Sequence, residues 1–421
     1  MTMQICSFQP PPMNAIVYYR LTVPIETMVD LDYDIRYMID DFHPRIKPEE
    51  REEMAAAADL IHSHLLSLMA VMSTPSRINK ATPMWYGDTG DIKYPPAVIM
   101  DIDDAYDYVS VTNPAFAEWG VRGPDGNLLQ RGAQIMATME DGTMETMFAD
   151  GQPYYVNEVP GGMFSIEQNY KNHARAKIVM IEANAVTVST PYLKKHYEEL
   201  NGLKNVYVFP NCIRFDHYDK VELAPHPKEI RILWTGGASH FEDLKPIRFA
   251  LLNTLKRYPH VKLIIFGQDY VWLRQMMPAE QFEFIEWVPF DRYRLKLGTL
   301  GHDIALCPLL DTVFNQSKSA IKWYENTAIH HPAACIGANV GPYKEIEDGK
   351  TGLLYNTPEE FEEKLSTLIE NATLRAELAG NAVDWLHENR DAMKEVPKLY
   401  EFYQQVRKEH IESYDLLPAG V

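Results

Sequence analysis

Between Gly301 and Tyr355 the chain sets two lysines and a carboxylate at spacings that suit an anionic ligand carrying hydroxyl groups. An apolar run, Ile304–Leu309, leads through a polar loop into an expected helix over 319–330, so that Lys318, Lys322 and Glu325 gather where a strand ends and a helix begins. In an open α/β sheet that is where phosphate-bearing ligands sit, because free backbone amides and the helix dipole both favour negative charge. Two lysines add positive charge for a diphosphate, and a carboxylate farther along the helix accepts hydrogen bonds from sugar hydroxyls. The layout therefore suggests a site for a nucleotide sugar. A second set lies upstream, where Gly236 and Gly237 end an apolar run and His240, Asp243 and Lys245 follow. Asp243 reads as a helix cap there, and His240 as a residue for a phosphate or an acceptor. In the first half, Asp101, Asp103 and Asp104 close the run Ala97–Asp101, and Asp103 is the carboxylate best placed to orient or deprotonate a hydroxyl.

The elements that must position these residues alternate. In the second half, runs at Arg231–Gly236, Val261–Gly267, Phe282–Val288, Ile304–Leu309, Ala333–Gly337 and Gly352–Tyr355 read as strands. Helical patterns separate them, among them Asp243–Tyr258, Tyr270–Met277 and Phe290–Thr299, with Pro358–Glu370 and Leu374–Asn389 after the last strand. Short continuous apolar runs between helices argue for a parallel sheet covered on both faces. The first half is less regular, with strands expected at Ala15–Leu21, Asp59–Leu65, Ala97–Asp101, Ala185–Ser189 and Val206–Phe209 and helices over 47–58, 166–183 and 191–201. The stretch 105–165, rich in Gly, Asp, Asn and Met, breaks the alternation and reads as an insertion with turns and a hairpin. Proline and charge replace periodicity over 213–229, which puts the boundary there. The expected division is a first domain over 1–215 carrying the insertion, a second over 216–390, and a helical tail over 391–421.

Composition limits the function. With 421 residues, two domains are the natural expectation. A net charge of −19 lacks the basic excess of a general nucleic-acid binder. The four cysteines are far apart and form no CxxC pair, so neither a zinc knuckle nor a disulfide framework is indicated. The start of the chain has no basic segment followed by an apolar one, and no run approaches a membrane span of about 18 apolar residues, so a cytoplasmic protein is expected. No Gly-Xaa-Gly-Xaa-Xaa-Gly follows the early strands, no phosphate-binding Gly-Lys-Ser/Thr loop occurs, and no Gly-Xaa-Ser-Xaa-Gly elbow occurs.

The order AVTVSTPYL, NVYVFPNCIRFD, ILWTGGASHFEDLKPI, VKLIIFG, DIALCPLLDTVFNQSKSAIKWYENTA and GPYKEIEDGKTGLLY resembles the GT-B glycosyltransferases, specifically the retaining group that uses nucleotide sugars (group 1, family 4-like). The resemblance spans about 185 to 390. It implies two doubly wound Rossmann-like domains facing an interdomain cleft, and transfer of a sugar from a UDP- or GDP-sugar to an acceptor, with retention and with neither metal nor cofactor. By motif position it gives Glu325 the ribose hydroxyls, lets the amides of Gly236 and Gly237 approach the donor phosphates, and aims Lys245 and Lys318 at the diphosphate. His240, Trp287, Ser317, Ser319 and Lys322 complete the donor side, with Ile285–Val288 bordering the base. The family often carries a carboxylate eight residues before the helix glutamate, and here that position is Ser317. The acids at 101–104 would face the acceptor, whose identity (glycan, protein, lipid or modified nucleobase) stays open. A catalytically idle glycan-binding or scaffold module, and a sugar-nucleotide epimerase of the same architecture, are the alternatives.

Overall fold

The computed structural model describes residues 2–9, 14–40, 47–65, 85–86, 92–138, 144–156, 159–223, 228–240 and 242–415. The chain divides into two compact units. The first comprises Met1–Asp103, Ala174–Arg214 and Arg390–Val421, and the second Asp104–His173 and Phe215–Asn389. The sequence reading gives 105–165 to the first domain and sets 391–421 apart. In the structure the former goes with the second unit and the latter with the first.

Each unit is built on six parallel strands. In the first the order is Val206–Val208, Ala185–Val188, Ala97–Ile102, Leu60–His64, Met3–Phe8, Ile35–Asp40. The chain starts at Met3–Phe8, steps to one side, then returns to the other, so the order reverses between Met3–Phe8 and Leu60–His64. In the second unit the order is Phe282–Glu286, Val261–Gly267, Ile230–Gly236, Ile304–Cys307, Ala334–Ala338, Leu353–Tyr355. Here the reversal lies between Ile230–Gly236 and Ile304–Cys307, the place where such sheets open a crevice beyond their carboxyl ends. Leu263 through Phe266 are all fully buried, and this unbroken apolar run marks a parallel strand covered on both faces. Each such side chain contributes about 1.5–3 kcal/mol by leaving water.

Polar residues set the helix starts. Thr190 accepts from the Leu193 amide (3.2 Å) to begin Pro191–Asn201, which Gly202 closes in the left-handed region at φ 66°. Thr357 does the same for Pro358–Glu370, accepting from the Glu360 amide at 3.2 Å. The insertion holds two antiparallel hairpins, Gln134–Thr138 with Met144–Ala149 and Pro153–Val156 with Val159–Met163. The helix Ala392–Asp415 packs against Val23–Asp30 in the first unit.

Two elements depart from the sequence reading. Ala15–Leu21 is not a strand. It forms a short helix, Ala15–Val17, and a π-helical turn, Tyr18–Thr22, that run on into Val23–Asp30. Asn14 starts it, its side chain accepting from the Val17 amide at 3.0 Å. The strand it was taken for lies earlier, at Met3–Phe8. The helix expected over 243–258 begins only at Arg248, which leaves Asp243 and Lys245 in turns ahead of it.

Candidate functional site

At the sheet reversal of the second unit, Ile230–Gly236 ends against a crowded backbone. A Cβ on Gly236 would lie 2.6 Å from the Trp234 indole and 3.3 Å from the Lys322 ammonium. Gly267 ends the neighbouring strand at φ 127°, and a Cβ there would meet the Gly236 carbonyl oxygen at 2.5 Å. Only glycine fits both positions. Gly237 has space for a side chain, with Trp287 3.8 Å from its would-be Cβ, and its carbonyl accepts from the Tyr270 hydroxyl at 2.7 Å.

Across from this turn runs the helix Ile321–Ala328. Lys318 and Ser319 precede it, the helix being shorter at both ends than the 319–330 expected from the sequence, and Glu325 sits about one turn inside. Lys322, assigned to the donor side from the sequence, is buried at 8% exposure. Its ammonium has no hydrogen-bond partner among the described residues and lies 5.2 Å from the Trp234 ring centroid. Burial, and the like charge of Lys318, pull its pKa down to about 8 against the opposing effects of Asp243 and Glu325. A buried ammonium without a partner is costly to the folded chain. It gains a reason to be there if an anion arrives.

His240 and Asp243 support the same place. His240 Nδ1 lies 2.7 Å from Asp243 Oδ2, while Asp243 Oδ1 accepts from the Leu310 amide (3.0 Å) and from Asn315 Nδ2 (3.1 Å). Asp243 is therefore not a helix cap. It ties the turn after Gly237 to the loop that delivers Lys318. Burial alone would raise its carboxyl pKa, but the bond from His240 and the charge of Lys322 hold it below the usual range. Burial, with Lys322 second, lowers His240 to about 4, so the imidazole is neutral at pH 7.

Glu325 is 4% exposed and accepts from the Tyr293 hydroxyl at 3.1 Å. The Tyr293 ring stacks on Phe266 (centroids 5.4 Å) and lies 5.9 Å from Trp287, which is 48% exposed and offers its indole to solvent. Trp234 and Trp323 are core residues. Lys318 sits 4.5 Å over the Phe314 ring and 3.6 Å from Asp104.

Lys318, His240 and Glu325 thus each fall within electrostatic reach of Lys322 beside the glycine turn. Lys245 is turned to Glu242 instead, at 2.8 Å and 37% exposed. Ser317 is fully buried; its hydroxyl donates to the Phe314 carbonyl (2.6 Å) and accepts from the Ala105 amide (3.2 Å). Tyr293, Gly267 and Asn315 were missed in the sequence reading. Of these only Gly267, a glycine ending the apolar run VKLIIFG, carried a sequence signal.

The acids of the first unit separate into different roles. Asp101, fully buried, forms an ion pair with Arg20 (2.7 Å) and accepts from Thr187 (2.7 Å), so its carboxylate is taken up inside the first unit. Burial would raise its carboxyl pKa, but Arg20 and His62 push it far below the ordinary range. Asp103 lies 2.9 Å from His64 Nε2 with its side chain 15% exposed. No group of three or more His, Cys, Asp or Glu residues able to hold a metal ion occurs among the described residues. No described helix is long and apolar enough to cross a membrane.

No family model and no curated protein matches the chain. Solved structures do. HepE of Anabaena, in complex with UDP and glucose, is 11% identical, with a TM-score of 0.58 over 96% of this chain and 100% of that one. Sucrose-phosphate synthase from Thermosynechococcus elongatus is 10% identical, with a TM-score of 0.57 over 97% and 100%. A glycosyltransferase from Rickettsia africae is 12% identical, with a TM-score of 0.55 over 96% and 98%. The fold is that of the GT-B glycosyltransferases, two parallel-sheet α/β units spanning nearly the whole chain.

Proposed function

We propose that the second unit binds a nucleoside-diphosphate sugar and that the protein is a glycosyltransferase moving that sugar to an acceptor hydroxyl. The observation that carries this reading is the buried ammonium of Lys322 beside Gly236, at the sheet reversal, which has no hydrogen-bond partner among the described residues. A diphosphate there would meet Lys322, Lys318 and the backbone amides of the first turn of Ile321–Ala328. Glu325, held by Tyr293, would take the ribose hydroxyls, with the exposed face of Trp287 beside the base. HepE, which shares the fold, was solved with UDP and glucose, and this supports a uridine donor as the first to test.

The chemistry follows from charge. Breaking the bond between sugar and diphosphate builds negative charge on the departing phosphate. Preplaced cations and helix amides stabilise that charge more than they stabilise the ground state. Retention at the sugar carbon, and transfer without a metal, belong to this reading through the resemblance of the second unit to the retaining group. On the first unit the acceptor-side candidate is Asp103 with His64.

A module that binds a sugar nucleotide without transferring its sugar is the second reading. It is favoured by Ser317, which is used up inside the fold at the position where the retaining group often carries a carboxylate. Thermal-shift screening of UDP- and GDP-sugars identifies the ligand, because a molecule that binds only the native state raises its melting point. Slow release of free nucleotide from one of them separates enzyme from module. Glu325→Ala is expected to weaken the bound sugar nucleotide by at least about tenfold in calorimetry, the worth of lost hydrogen bonds to a charged group. Unchanged affinity would remove Glu325 from the site.

A further inference from the structure

A carboxylate stands where the proposed site should repel one. Asp104 Oδ1 lies 3.6 Å from the Lys318 ammonium, with side chains 20% and 17% exposed. Asp104 does not reach this place by sequence neighbourhood. It comes from a segment more than 200 residues away, and the bond from the Ala105 amide to the buried Ser317 hydroxyl (3.2 Å) fixes its backbone there. Asn315, also buried, and Thr312, which accepts from the Asn315 amide at 3.1 Å, hold the loop on the other side of the contact. The site is therefore bipolar. Its cationic side has Lys322 open, and its anionic side is Asp104, held in place by Ser317.

A purely anionic ligand gains nothing from Asp104, which would oppose it and compete for Lys318. A ligand with a diphosphate at one end and neutral hydroxyls at the other uses both sides. Resting on the donor reading above, we propose that Asp104 is the specificity-determining carboxylate for the sugar portion of the donor. Without a ligand it pairs with Lys318. When the diphosphate arrives, Lys318 turns to the phosphate and Asp104 accepts hydrogen bonds from the sugar hydroxyls. Ser317 is a positioning residue in this scheme, acting through the Ala105 amide. No bond is made or broken in this step, since only hydrogen-bond and ion-pair partners are exchanged.

The test compares a nucleoside diphosphate with its sugar conjugate. Calorimetric titrations of UDP and UDP-glucose, with GDP and GDP-mannose as a second pair, are run on the wild type, Asp104→Asn and Ser317→Ala. Asp104→Asn keeps the side-chain shape but loses the charge, so the bare diphosphate is expected to bind as tightly as before or more tightly. The sugar conjugate should lose about tenfold relative to it, the scale of a hydrogen bond to a charged acceptor. Ser317→Ala, which leaves both charges in place, should shift the same ratio in the same direction by less, and it serves as the readout if Asp104→Asn does not fold. An unmoved ratio, or equal weakening of both ligands, overturns the assignment of Asp104 while leaving the donor site standing. If the wild type binds none of the four nucleotides, the donor reading falls and Asp104 falls with it.

Discussion

Both units bury charge near the carboxyl ends of their strands, but they treat it in opposite ways. In the first, Arg20 is 1% exposed and its guanidinium is fully engaged. Nε and Nη2 donate to Asp101, and Nη1 donates to the Phe209 carbonyl and to Asn211 at 3.1 Å. His62 joins the group between Thr187 (3.0 Å) and the Tyr403 hydroxyl (2.5 Å), tying the last helix to the sheet. In the second, Lys322 is also buried, at 8% exposure, and has no hydrogen-bond partner among the described residues. A closed charge network sets geometry, and an open one is, on the function proposed above, completed by a ligand. The same chain thus separates charge that holds the fold from charge that the fold has to tolerate.

The sharpest break of this contrast comes from removing each cation in turn. Arg20→Leu leaves Asp101 buried without its partner and should cost about 3–5 kcal/mol in urea unfolding. The folded fraction should bind nucleotides as before. Lys322→Met should do the reverse, raising stability by about 2 kcal/mol at pH 7, because it removes a cation that burial disfavours. If Lys322→Met is destabilising by several kcal/mol, the ammonium has a structural partner and the contrast fails.

A gentler version uses pH alone. Lys322 is lowered from 10.5 to about 8. Between those values the unfolded chain binds more protons than the folded one, so this residue makes stability rise with pH across that window. Phosphate binding needs the charged form, so nucleotide affinity should fall as pH rises above about 8, by at most about tenfold per unit for the one proton involved. Titrations at pH 7, 8 and 9 check this, and a flat profile would mean that Lys322 does not touch the anion.

Much of the second unit was legible because its strands are short apolar runs bounded by glycine, as in ILWTGG and VKLIIFG, and burial on both faces removes the ambiguity of alternation. Glu325, Lys318 and Lys322 could be grouped from the sequence because helix and loop spacing put them together locally. Two kinds of feature stayed out of reach. Ala15–Leu21 has the β-branched and aromatic composition of a strand, yet it winds as a helix with a π-turn that places Arg20 on Asp101, 81 residues away. Tertiary pairing overrode local preference there. Asp243 and Ser317 likewise took their roles from partners at Leu310, Asn315 and Ala105 that no local pattern announces. Lys245 departs for a simpler reason, since a shorter helix leaves it in a turn, paired with Glu242.

The central claim is that the open cation of the second unit exists for a diphosphate. Calorimetric titration of UDP into the wild type and into Lys322→Met at pH 7, each first shown to be folded by its melting curve, tests it most directly. The account predicts binding by the wild type and an affinity lower by at least about tenfold in the variant, the worth of one charge-assisted contact. Equal affinity in the two proteins would contradict it.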